Sequence, residues 1–203
     1  ESKGYEVENS LRFNDGDSPF LQRTHTNGNR RTFSISLWVK RANLGGAHKL
    51  FDAYDNDNNR TFLYFHTDDT LRFFSRDGGT TEIFLITNAL FRDVSAWYHI
   101  GLFVDTTQST ASNRVKLYVN GNQVTSFSTE TYPDQNHEPN YNNNGNTNTI
   151  GARDDSGGED EHFDGYISEF NFIDGAAKAH TDFGKFDDNG VWIPKKYTGG
   201  SYG

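Results

Sequence analysis

The sequence predicts an all-β fold, a two-sheet antiparallel jelly-roll sandwich, on three observations. Apolar and polar residues alternate along many short segments, helical periodicity is nearly absent, and turn residues recur between the segments. The 203 residues suit one all-β domain over 1–203, with 176–203 as a C-terminal extension that packs on it or leads to a following segment. Only 33% of the chain is apolar, but 15% is Phe, Tyr or Trp, so a few inward rings can fill a core.

Taken in order, short strands are expected near Leu11–Phe13, Phe20–Arg23 and Leu50–Ala53. In FSISLWVK (33–40), Phe33, Ile35, Leu37 and Val39 share one face and Ser34, Ser36, Trp38 and Lys40 the other, as in a half-buried strand. Further strands read at RTFLYFH (60–66), TLRFF (70–74), EIFLI (82–86) and WYHIGLFVD (97–105). RVKLYVNGNQV (114–124) turns at Asn120-Gly121, a pair that suits a two-residue primed hairpin because both positions need positive φ. From Thr131 to Glu161 the texture changes, and the Asn-rich QNHEPNYNNNGNTNT (135–149) reads as a long exposed loop before strand signals resume at Thr149–Ala152.

HFDGYISEFNFIDG (162–175) has Tyr166, Phe170 and Phe172 on one parity and Ile167 and Ile173 on the other. That phase switch predicts a β-bulge or a fully buried strand, pairing near the N-terminal strand. GAAKAHTDFG (175–184) is the one plausible helical turn. The expected core includes Phe33, Ile35, Leu37, Val39, Leu102, Val104, Val115, Leu117, Val119 and Phe170.

The charge of −9 argues against nucleic acid or anionic lipid as a partner through charge alone. There is no cysteine, and no apolar run approaches the ~20 residues of a membrane helix. A chain that starts at Glu1 and holds no Met reads as a processed product or a piece of something longer.

WYHIGLFVD, VKLYVNGNQV and FDGYISEFNFIDG, in that order, resemble the signature of laminin-G-like, concanavalin A-like jelly rolls. The matching positions are Trp97, His99, Tyr118 to Gly121, Phe163, Gly165, Ile167 and Glu169. The blocks at 29–45, 95–121 and 190–203 are similar to modules in structural proteins of marine bacteriophages. The resemblance implies a sandwich on a virion surface or tail, without identifying a ligand.

Glycosidases on this fold carry a rigid pair of carboxylates on one strand face. The nearest match is EDEHFD (159–164), where Glu159 and Glu161 share a parity but lie in a polar, Gly-rich segment, so the expectation is no catalytic residue. Laminin-G-like folds often hold Ca²⁺ at loop ends, and Ca²⁺ takes six to eight oxygens. Structural Ca²⁺ is therefore the candidate cofactor, with Asp154, Asp155, Glu159, Asp160, Glu161 and Asp164 as candidate ligands. DAYDNDNN (52–59) fails as an EF-hand, because Arg60 stands where Gly is needed and His66 where the bidentate Glu belongs. His99 is expected to be a hydrogen-bonded structural residue.

Sugars are recognised by aromatic faces flanked by amide and carboxylate groups. Candidate ligand-binding residues are Tyr54, Asn56, Asn58, Tyr132, Asn136, Asn140, Tyr141 and Asn142. The expected function is a non-catalytic surface module of a larger virion or extracellular protein. It binds glycans or adheres to a host or particle surface, in a multimeric assembly, without nucleic acid or membrane insertion. The alternatives are a purely structural decoration or fibre protein of a phage particle, and a polysaccharide hydrolase.

Overall fold

A computed structural model describes residues 5–143, 145–155 and 158–199. Along the chain the strands are β1 (Leu11–Phe13), β2 (Leu21–Thr24), β3 (Thr32–Arg41), β4 (His48–Asn56), β5 (Asn59–Phe65) and β6 (Thr70–Asp77). There follow β7 (Thr80–Leu90), β8 (Tyr98–Asp105), β9 (Val115–Val119), β10 (Asn122–Gln123), β11 (Phe127–Thr131) and β12 (Thr147–Ile150). The last are β13 (Arg153–Asp155), β14 (Gly158–Asp160), β15 (Gly165–Asp174), β16 (Gly184–Phe186) and β17 (Trp192–Pro194). The helical turn expected at 175–184 is a 3₁₀ turn, His180–Asp182. No helix among the described residues is long and apolar enough to cross a membrane.

Two sheets face each other, six strands in the order β1-β15-β3-β8-β9-β10 and seven in the order β11-β7-β6-β5-β4-β12-β2. The alternation of β3 supplies the middle of the core: Phe33, Ile35, Leu37 and Val39 are fully buried against Leu63, Phe65, Phe73, Ile83 and Leu85 of the facing sheet. Leu102, Val104, Val115 and Leu117 are buried as expected. Val119 and Phe170 are only half-buried. Val119 ends β9 beside the two-residue edge strand β10, and Phe170 lies beyond the short stretch of β15 that β1 covers.

The phase switch in β15 is a bulge. Its register on β3 shifts between Ser168 and Asn171, where Glu169 takes a φ of 49°. Before the bulge Ile167 faces the core; after it Phe170 and Phe172 do, and Ile173 turns to the opposite face.

That opposite face departs from the half-buried expectation for β3. Residues 176–197 lie across it, and Ser34 and Ser36 are buried. The Ser34 hydroxyl donates to the Ala176 carbonyl at 2.7 Å and accepts from the Lys178 N–H at 2.8 Å. Phe103, Ile173, Phe183 and Tyr197 form a second small core there.

The hairpin at Asn120-Gly121 is the two-residue turn expected, with φ of 48° and 76° and Asn122 opposite Val119. A Cβ on Gly121 would lie 2.2 Å from Cε3 of Trp192. Gly121→Val therefore meets both positive-φ strain and a ring it displaces, and is expected to cost about 2–3 kcal/mol in urea or thermal melts. A melt that matches the parent would contradict the turn geometry.

Candidate functional site

The outer face of the six-stranded sheet holds an aromatic cleft. Because Val39 and Ile167 are opposite each other and face the core, their neighbours Trp38 and Tyr166 point outward. Trp38 lies across from Ser168 on one side and His99 on the other. Trp97, one residue before β8, approaches Tyr166 with ring centroids 6.4 Å apart, and both rings are 37% exposed. Trp38 and Trp97 share a cavity of about 310 Å³ with Ser168, Pro194 and the N-terminal run Val7–Ser10. The Arg12 guanidinium sits 5.2 Å over Tyr166 and is held there by Asp164 at 2.7 Å. Chemically this is a stacking surface with hydroxyl, amide and one carboxylate group (Glu8) at its rim.

Beneath the cleft, His99 is fully buried, with Nε2 2.9 Å from the Ser36 hydroxyl and its ring 5.0 Å from Trp38 and 5.7 Å from Trp192. Burial, with a smaller push from His180, lowers its pKa to about 4. The ring is neutral at physiological pH and buttresses the cleft, the structural role expected of it.

The loop candidates are placed differently from expectation. Asn140, Tyr141 and Asn142 are buried, which corrects the exposed-loop reading. The Tyr141 ring lies 3.7 Å from that of Phe33, and its hydroxyl donates to the Asn29 carbonyl at 3.1 Å. Asn142 Nδ2 donates to Asp174 at 2.7 Å, and Asn146 Nδ2 to Asn140 Oδ1 at 3.0 Å. This Asn-rich run plugs one end of the sandwich, its amides satisfying polar groups that a closed end would otherwise orphan. Tyr132 is half-buried and donates to Glu130 at 2.6 Å, and Asn136 is exposed with a φ of 64°. Tyr54 is half-buried at the β4–β5 turn, where Asn56 and Asn58 are exposed. None of these residues lines the aromatic cleft.

The acidic run is spread among separate partners. Glu161 pairs with buried Lys49 and with Arg153 at 3.2 Å, Asp160 lies 3.6 Å from Arg153, and Asp164 is held by Arg12. The Asp154 N–H donates to buried Asp52 at 2.8 Å. The side chains of Asp155 and Glu159 lie outside the described residues. Among the described residues no three His, Asp or Glu side chains converge where a metal ion would sit. Glu161, one of the two carboxylates of the hydrolase alternative, is held between Lys49 and Arg153.

Sequence reasoning missed Trp38, Trp97 and Tyr166 as a group. The available signal was an aromatic on the outward parity of two strands, where a solvated face would carry polar side chains.

Comparison with known proteins follows the same architecture. The chain is similar to a native heptameric SAP-like pentraxin from Limulus polyphemus, at 19% identity and a TM-score of 0.58 over 85% of this chain and 78% of that one. It is similar to domain 4 of AbnA, a GH43 extracellular arabinanase from Geobacillus stearothermophilus solved with arabinotriose, at 18% identity and a TM-score of 0.60 over 84% and 72% of the two chains. The CBM40 of the Ruminococcus gnavus IT-sialidase matches at 15% identity and a TM-score of 0.54 over 80% and 95%. At such identities the likeness is one of fold. Among curated proteins no sequence matches. Residues 14–181 match the family Laminin_G_3, a span that holds every strand of both sheets except β1 and ends within the segment crossing the outer face. By that match and by its two antiparallel sheets, the chain belongs to the concanavalin A-like lectin/glucanases superfamily.

Proposed function

We propose that this protein is a non-catalytic glycan-binding module, and that the Trp38–Trp97 cleft is its binding site. The observation that carries the reading is the exposure of Trp97 and Tyr166 beside a cavity of about 310 Å³, rimmed by hydroxyl, amide and carboxylate groups. A pyranose ring presents an apolar C–H face to stack on indole and hydroxyls for the rim. The family and its fold neighbours, among them an arabinanase domain solved with arabinotriose and a sialidase CBM40, support a carbohydrate ligand. We further propose an extracellular or virion-surface setting with several copies on one particle, a reading supported by the phage-like sequence blocks. A shallow cleft gains little area, and multiplicity supplies the avidity a single site lacks.

The test is a glycan array with the chain displayed multivalently, followed by titration of the hits. Trp97→Ala is expected to weaken binding at least tenfold, about 1.4 kcal/mol, with little change in melting temperature because the ring is partly exposed. Tyr54→Ala should leave binding unchanged. Reducing ends released from any polysaccharide would overturn the non-catalytic reading. Silence on every glycan alongside a tight protein contact would favour structural decoration instead.

A further inference from the structure

The outer face of the seven-stranded sheet carries a second arrangement of aromatics and charge. Phe62, Phe74 and Phe84 are directly opposite one another on β5, β6 and β7, with ring centroids 5.7 and 5.5 Å apart. Phe74 and Phe84 are half-buried, so this row reaches solvent. Cations lie over it: Lys49 is 4.6 Å from the Phe62 ring, Arg60 5.4 Å from Phe62 and 5.9 Å from Phe74, and Arg76 5.7 Å from Phe74.

These cations differ in how their charge is met. Lys49 is paired with Glu161, and Arg60 with the exposed Asp57 at 3.1 Å. The Arg76 guanidinium makes no ion pair or hydrogen bond with another described residue, and Glu82 at the neighbouring β6–β7 bulge is not within ion-pair distance of it. Arg60 and Arg76 are cross-strand partners, and the Nε of each is buried with no acceptor among the described residues. Like charges directly opposite on adjacent strands are destabilising. In a chain of net charge −9, with carboxylates abundant, the fold nonetheless leaves this pair of guanidinium groups undersupplied with anions.

We propose that the Arg60–Arg76 pair is a second binding site, one that holds a sulfate or carboxylate group of an acidic polysaccharide against the Phe62–Phe74–Phe84 row. Guanidinium forks match the oxygens of either group, and both already sit over aromatic rings. An anion between them relieves the repulsion and meets guanidinium Nη groups, which unlike the Nε atoms are not buried. A sugar carrying that anion lays its C–H face on the half-buried rings. Nucleic acid is the poorer fit, because one uncompensated arginine in a chain of this charge neutralises too few phosphates.

The experiment titrates the full chain with dextran sulfate and with polygalacturonate while the arginine Nε–H resonances are followed by NMR. The Arg60 and Arg76 signals are expected to shift and those of Arg12 and Arg114 to stay. Binding of the sulfated polymer alone identifies a sulfate site, and of the carboxylated polymer alone a carboxylate site. Arg76→Gln should weaken binding at least tenfold while the unliganded melting temperature holds or rises, since a like-charge contact is removed. Arg76→Lys, which keeps the charge and loses the fork, should fall between the two. Trp97→Ala should not affect this binding, which separates it from the cleft. The proposal fails if neither polymer binds, if Arg76→Gln binds as the parent does, or if single-stranded DNA binds as tightly with the same shifts.

Discussion

Asp69→Asn is expected to destabilise the fold by about 3–5 kcal/mol, a large share of the total stability of a domain this size. Asp69 sits in the β5–β6 turn with a φ of 66°, a conformation Asn also tolerates, so the substitution removes charge without straining the backbone. Its carboxylate takes Arg41 Nη2 and the Gly45 N–H on Oδ1, at 3.0 and 3.2 Å, and Arg92 Nε on Oδ2 at 3.0 Å. Burial by itself pushes the carboxyl pKa up, but these donors outweigh it and hold it below the usual carboxylate range. Arg41 is 1% exposed at the end of β3, its guanidinium 4.6 Å over Phe65 and donating to the Phe91 carbonyl at 2.6 Å. With Asn at 69, that guanidinium stays buried without a counter-charge, and this residual charge is what makes the change costly. Arg92 is 60% exposed, and Arg92→Gln should cost under about 1 kcal/mol. Urea melts of both variants decide the matter: an Asp69→Asn loss no larger than that of Arg92→Gln would show that the pair is not the anchor described.

The second large effect is acid lability through His99. Its folded pKa of about 4 lies below the ordinary histidine value of 6.5, so between these the unfolded chain binds a proton the folded one refuses. The stabilisation by neutral His99 is complete above pH 6.5, is lost as pH falls toward 4, and changes no further below that. Over the whole window the loss approaches about 3 kcal/mol. His25, His48 and His180 are all lowered, chiefly by burial, and act in the same direction. Asp52 works the opposite way, since burial raises its carboxyl and the folded state keeps a proton the unfolded state has released. Comparing the parent with His99→Gln across pH 7 to 4 cancels these common contributions. The difference in stability between the two should shrink by about 2–3 kcal/mol on acidification. A His99 ring that titrates near 6.5 by NMR in the folded protein would refute the account.

Particular residues show how far the sequence could be read. Phe33, Ile35, Leu37 and Val39 were legible as core because side chains alternate along any strand, whatever it packs against. Asn120-Gly121 was legible because two successive positive φ angles are a local demand. The parity switch between Ile167 and Phe170 likewise exposed the bulge at Glu169. Ser34 and Ser36 were misread as solvent-facing, since their hydroxyls are satisfied by a backbone segment and a histidine far away in the chain. Tyr141 and its neighbouring asparagines were misread for a related reason: an Asn amide pairs with a buried side-chain oxygen as well as it does with water.

The sequence by itself therefore determined the strands, their inward faces, the hairpin and the bulge, because backbone geometry makes each a property of a few consecutive residues. Only the tertiary structure decided which surfaces are open and which chemistry meets there. Trp38, Trp97 and Tyr166 come together through the register of β3, β8 and β15, and Arg60 meets Arg76 through that of β5 and β6. Register is set by packing the whole inner face at once, so no local pattern of residues carries it.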